Sequence, residues 1–300
     1  MKKILAIAVA TAIAAPAMAD MTIGGTVAAG YAYSDTNTDG DAGFGIDTAS
    51  IAISGSTTTD SGLAVAASMG AGGLQRTNNV TGENATLSIA GDFGKVLFAN
   101  TEAGSGLVGL GGAGAPVEDL TEEVLNGRSA ATSGNSLTYY APAMGAVSVF
   151  AGMADVGDAA IGSGQDAEQL YFGATVKAGA ATIKADYADY TYSDVSRVRV
   201  SGNMDLGSVV LGAGFENKDY STYDRKESIV SVKVPMGATT LGLAYANSDD
   251  GTGTASEANG WSAGVSQVLG GGVTVSAKHT VYEQAGVEKS KGAVLVTMAF

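Results

Sequence analysis

The sequence predicts an all-β fold: a transmembrane antiparallel β-barrel of about sixteen strands, ~9–11 residues each, closed as one domain. Three observations carry that prediction. Apolar and polar residues alternate at period two in segment after segment, short turn-forming links alternate with longer polar loops, and the chain opens on an export address.

The address comes first. Lys2 and Lys3 precede an apolar run from Ile4 to Ala15, which ends in the small-residue site Ala17-Met18-Ala19. Residues 1–19 therefore read as a cleaved signal peptide, with the mature chain, residues 20–300, beginning at Asp20. The run is too short to cross a bilayer as a helix, and no later stretch approaches the ~18 apolar residues a spanning helix needs. Without Lys2 and Lys3, 14 basic residues face 30 acidic ones, so a basic footprint for nucleic acid is missing. Four prolines and no linker-like tract give no point at which to divide the chain, and zero cysteines exclude a disulfide framework and thiolate metal sites.

The strands follow in order. In residues 22–33, Ile23, Val27, Tyr31 and Tyr33 share one face while Thr22, Thr26 and small residues share the other. Residues 136–140 set Leu137 and Tyr139 against Ser136, Thr138 and Tyr140. Residues 169–177 set Leu170, Phe172, Ala174 and Val176 against Gln169, Tyr171, Thr175 and Lys177. Residues 197–201 set Val198 and Val200 against Arg197, Arg199 and Ser201. Tight links fall at 58–62, 91–94, 141–145, 177–180, 204–207, 235–238 and 269–272, and longer polar loops at 34–43, 71–82, 154–166 and 248–257. That rhythm places short turns at the periplasmic rim and long loops outside. Tyr33, Tyr187, Tyr190, Tyr192, Phe215, Tyr245 and Trp261 fall toward the long loops, as an interfacial girdle requires, although tyrosine also simply favours strands.

One connection breaks the rhythm. Residues 101–134 separate the fifth and sixth barrel strands, and loops of that length are functional or disordered. Its glycine-rich start reads as a flexible loop. Pro116 suits a first helical position, Glu118 and Asp119 the first turn and Gly127 the stop, so the spacing predicts a short helix over 116–126. Glu102, Glu118, Asp119, Glu122 and Glu123 would concentrate negative charge there; in a narrow passage they would attract cations, and otherwise they are a solvated acidic loop.

The signal, the run FGKVLFANTE entering this long connection, the strand-turn-strand NSLTYYAPAMGAVSVFAG and the terminal AVLVTMAF together resemble the general diffusion porins of Gram-negative outer membranes, in a short sixteen-stranded form. The resemblance covers the whole mature chain. It implies a multi-pass outer-membrane barrel that lets small hydrophilic solutes and ions diffuse passively, a homotrimer embedded in outer-membrane lipid, and a third outer loop folded into the lumen as a constriction. It also implies closure of the first strand on the last, bringing Asp20 near Phe300, whose aromatic ring the assembly machinery reads. With the acidic loop, a weak cation preference is expected.

The sequence departs from the family in its cations. Porins face the acidic loop with arginines from early strands, whereas strands two to four here carry none on the lumenal face. The basic candidates are Arg76 and Arg128 in loops and Lys184, Arg197, Arg199 and Lys278 on later strands, where solvated side chains are the alternative reading.

Motifs of other chemistries occur. GWSAG at 260–264 has the nucleophile-elbow spacing, but Ser262 lies in an alternating strand rather than at a strand-turn-helix bend. His279 is the single histidine and sits on a strand near a rim, so no catalytic triad can be assembled around it. GSGLVG at 104–109 lacks the βαβ context of a dinucleotide site. Asp35, Asn37, Asp39 and Gly40 have the spacing of half a calcium loop, but Ile46 stands where the bidentate Glu belongs. A weak Ca²⁺ site is thus the alternative to a plain polar loop, and no cofactor is otherwise required. The reading is of a non-enzyme; a substrate-selective porin, or a non-conducting barrel acting as adhesin or enzyme, are the alternatives.

Overall fold

A computed structural model describes residues 20–35, 42–73, 81–101, 104–105, 107–125, 130–131, 134–156, 167–191, 194–249, 251 and 257–300. The proposed signal lies outside them. Five strands lead: β1 (Asp20–Ser34), β2 (Gly43–Thr58), β3 (Ala64–Gly72), β4 (Thr81–Gly91) and β5 (Gly94–Thr101). The long connection then holds β6 (Gly104–Ser105), α1 (Val108–Gly111), α2 (Glu118–Glu123) and β7 (Ala130–Ala131). The barrel resumes with β8 (Gly134–Tyr140), β9 (Val147–Val156), β10 (Ala167–Ala178), β11 (Ala181–Tyr190), β12 (Val195–Asp205) and β13 (Val210–Tyr220). It ends with β14 (Tyr223–Met236), β15 (Thr239–Asp249), β16 (Ala258–Gly270), β17 (Val273–Gln284) and β18 (Val287–Ala299).

Sixteen of these strands pair antiparallel in sequence order and close, β1 on β18, while β6 and β7 form a separate two-stranded ribbon. Closure satisfies every strand edge, the condition a sheet must meet to cross hydrocarbon. At the seam the Gly25 and Phe300 backbones exchange two hydrogen bonds of 2.9 and 3.0 Å. The partner of Phe300 is therefore Gly25; Asp20 pairs with Ser56 of β2 instead.

Period-two alternation sorts each strand into an apolar outer and a polar or small inner face. On β12, Val198 and Val200 are exposed to the outside while Arg197, Arg199 and Ser201 point inward and are buried. The sixteen barrel strands run from 7 residues in β8 to 16 in β2, wider than the expected range. The short links lie where turn chemistry places them: Gly179 and Gly237 take positive φ (59° and 65°) in two-residue hairpins. The opposite rim is less uniform than expected, for β13–β14 and β17–β18 also join by two-residue turns, with Ser221 and Ala285 left-handed. The aromatic girdle needs one correction. Tyr33, Phe215, Tyr245 and Trp261 face outward, but Tyr190 points inward, 2% exposed, and packs on Val195. Tyr192 lies outside the described residues.

Candidate functional site in the lumen

The connection between β5 and β8 packs against the inward faces of the second half of the barrel. α1 contacts β11 to β14 and α2 contacts β16 and β17. Leu107, Leu120, Val124 and Leu125 are fully buried and join Ile229, Ala244, Ala246, Ala258 and Tyr282 in one apolar cluster. Burying such side chains stabilises the seating by roughly 1.5–3 kcal/mol each. The wall makes room: a Cβ on Gly242 would lie 2.7 Å from Pro116 Cδ, and one on Gly212 would lie 2.4 Å from the Gly111 carbonyl oxygen. Hydroxyls complete the seat, Ser231 donating to the Gly111 carbonyl (2.6 Å) and Ser248 to the Val124 carbonyl (2.8 Å).

Local structure in this segment differs from the sequence expectation in two places. The helix spans Glu118–Glu123 rather than 116–126, because Pro116 lies against Gly242 and Gly264 of the wall, and Val124 and Leu125 turn into the apolar cluster. The glycine-rich stretch after 104 contains a helical turn, fixed by the burial of Leu107 where glycine propensity alone favours coil.

The acidic residues of α2 meet basic residues of the wall. Lys278 Nζ lies 2.9 Å from Glu118 Oε2 and 3.3 Å from Asp119 Oδ1, and Thr280 donates to Asp119 Oδ2 at 2.9 Å. Lys291, absent from the sequence-based set, pairs with Glu123. Glu118 remains 81% exposed while pairing, whereas Asp119 is 11% exposed. Glu122 faces water yet is ringed by protein: desolvation pushes its carboxyl up, Asp119 and Glu123 add to the rise, and Lys291 and Lys278 oppose it. Glu102 lies outside the described residues.

The remaining basic candidates divide. Arg197 and Arg199 both bind Asp186, at 3.2 and 2.9 Å, and approach Glu216 at 3.9 and 3.8 Å. All four side chains are at most 10% exposed. They form a closed buried network rather than a wall of cations facing water. Lys184 is half-buried over the Phe150 ring on another part of the wall. Arg76 and Arg128 lie outside the described residues, as do Asn37 and Asp39; Asp35 accepts a hydrogen bond from Ser290 Oγ at 2.6 Å.

Between the segment and the facing strands runs a cavity of about 550 Å³, with Thr26, Ala28 and Asp47 on one side and Pro116, Glu118 and Lys278 on the other. Asp47 was not visible to strict alternation. A register shift at Ala28/Ala29 leaves it unpaired between Ile46 and Thr48 of β2, so counting by twos does not place it.

Comparison with known proteins agrees with this architecture. Three similar solved structures are a porin refined at 1.8 Å (TM-score 0.70, 19% identity, 94% of this chain and 100% of that one), an anion-selective porin from Comamonas acidovorans (0.73, 14%, 94% and 100%) and a mutant of Rh. blastica porin (0.69, 16%, 93% and 100%). At these identities they establish the fold alone. No curated protein sequence matches the chain. The Gram-negative porin family matches residues 6–286, nearly the whole sequence, and the closed sixteen-strand barrel is the one that family builds, so this chain belongs to the Gram-negative porins, channels for small solutes across the outer membrane.

Proposed function

We propose that this porin passes small hydrophilic solutes and ions by passive diffusion with a weak preference for cations, and that residues 107–125 form its constriction. One observation carries the sign: Glu118 is exposed to the cavity that Asp47 also lines, while Arg197 and Arg199 are neutralised by buried carboxylates. Lys278 is the cation lining the same cavity, and it is shared between Glu118 and Asp119. Excess carboxylate in a narrow passage favours cations because water there screens less than bulk.

No catalysis is assigned. Ser262 lies within β16, its Oγ 2.8 Å from Thr280 Oγ1, and His279 faces outward against Tyr33 and Trp261, on the opposite face of β17 from Lys278 and Thr280, which hold the Glu118 and Asp119 carboxylates. The homotrimer of the family is carried as the assembly. The anion-selective relative makes the opposite sign the rival outcome. Reversal potential across a single channel under a KCl gradient decides it: a cation-selective potential, in conductance steps grouped by three, is the expected result. An anion-selective potential would overturn the charge assignment, and a folded barrel without conductance would overturn the channel reading.

A further inference from the structure

The lumen carries a second feature, apart from the constriction. Lys95 on β5 stands opposite Tyr140 on β8, Tyr140 opposite Phe150 on β9, and Phe150 opposite Gly173 on β10, so these residues form one cross-strand row on the inner face. Lys95 Nζ lies 4.4 Å from the Tyr140 ring centre; the Tyr140 and Phe150 rings are 5.8 Å apart at 39°; Lys184 Nζ lies 4.9 Å from the Phe150 ring centre. The row is thus bounded by ammonium groups at both ends, with two aromatic rings between them.

The wall is shaped around the rings. A Cβ on Gly173 would lie 2.6 Å from Phe150 Cζ, and one on Gly152 the same distance from Tyr171 Cζ, so each ring uses space that a side chain on the next strand would fill. Tyr171 is hydrogen-bonded to Thr138 Oγ1 and offers no unused hydroxyl pattern for a sugar. Lys95, Tyr140, Phe150 and Lys184 are all partly exposed, while α1 and α2 contact β11 to β14, β16 and β17. The carboxylate next along the row, Asp186, is held by Arg197 and Arg199.

We propose that Lys95, Tyr140, Phe150 and Lys184 form a lumenal subsite for organic anions with a planar ring, the class represented by aromatic carboxylates. The proposal rests on the diffusion-channel reading and adds a solute class to it. The ammonium groups supply the charge that a carboxylate needs, and an ammonium resting on an exposed ring is held weakly enough to turn toward an anion. The rings supply an offset-stacking surface that distinguishes an aromatic anion from acetate or chloride. A free cation is repelled by both lysines. The site must bind weakly, in the millimolar range, for a bound solute to leave as readily as it enters. In a barrel that also carries the acidic α2, such a patch gives aromatic anions a local foothold near the short-turn rim.

The test uses the intact barrel in a planar bilayer in KCl, with sodium benzoate or sodium acetate added on the short-turn side. Benzoate is expected to reduce the KCl current saturably, with half-effect at about fivefold lower concentration than acetate. Phe150→Leu should erase the difference between the two anions, and Lys95→Gln with Lys184→Gln should remove the saturable block by both. Indistinguishable benzoate and acetate curves in the unaltered protein would overturn the subsite while leaving the channel intact. Benzoate block that persists in both variants would place the binding elsewhere and overturn it too. A barrel that passes no KCl current fails at the channel reading itself, an outcome separate from the other two.

Discussion

Lys278 and Glu118 meet at 2.9 Å across the gap between strand and helix, the lysine from the barrel wall and the carboxylate from the segment packed against that wall. The pair is partly open to water, so its attraction is screened, and its worth to stability is at most about 1 kcal/mol. On the cation-preference reading proposed above its weight is in selectivity, because each partner masks the other from passing ions.

Lys278→Gln should therefore raise the cation preference, by about twofold in the potassium-to-chloride permeability ratio, since Glu118 is unmasked. Glu118→Gln should lower the ratio by a similar factor. Reversal potentials of the two variants in the same salt gradient check both directions, and a shift of the same sign in both would contradict the pairing.

Arg199→Gln should act on stability rather than on selectivity. Asp186 and Glu216 would keep their burial and lose a partner, a situation that costs roughly 3–5 kcal/mol. The expected reading is a lower unfolding temperature of the detergent-solubilised barrel with little change in reversal potential. A large selectivity change at unchanged stability would show that the guanidinium faces the permeating ions after all.

Glu122 gives a pH dependence. Its carboxyl is raised chiefly by desolvation, so it takes up a proton at a higher pH than an ordinary glutamate as the solution is acidified. The raised value means that the charged form is the disfavoured one, and the negative charge is present only above that raised pKa. Cation preference should accordingly begin to fall on acidification before unperturbed carboxylates titrate, and Glu122→Gln should remove that early part of the curve. Selectivity measured at several pH values on both proteins gives the comparison.

Gly242→Leu should displace the segment, because even the Cβ would sit 2.7 Å from Pro116 Cδ. Leu120→Ala should loosen it from the other side, by roughly 2–5 kcal/mol of lost packing. Both variants should show noisier and larger unit conductance, read from single-channel records; unchanged traces would mean that the segment does not limit the current.

The strands, their facing and most links were legible in the sequence because they depend on local rules: a side chain alternates by backbone geometry, and Gly179 or Gly237 marks a turn by its own allowed φ. What depends on distant partners was not. Gly212, Gly242 and Gly264 look like ordinary small inward residues, and only the folded segment shows that they form its seat. Arg197 and Arg199 read as inward cations, which they are, but their neutralisation by Asp186 and Glu216 requires three strands in register. Lys291 could have been found by the same alternation that flagged Lys278, since it lies inward on β18 two residues before Ala293; its pairing with Glu123 needed the helix in place. Asp47 was hidden by one irregular residue in β2.

The seam between Gly25 and Phe300 has a kinetic meaning. Their two hydrogen bonds extend the ladder that closes the barrel, Thr26–Ser34 of β1 on Lys291–Ala299 of β18, which joins the first of the sixteen strands to the last. Until that ladder forms the sheet presents two open edges, each a template for unwanted pairing with another copy. Nearly all other strand pairs join close neighbours in the chain, so this one ladder bears the largest loop-closure cost of the barrel. Once the seam is made there is no strand edge left from which the barrel can begin to fray.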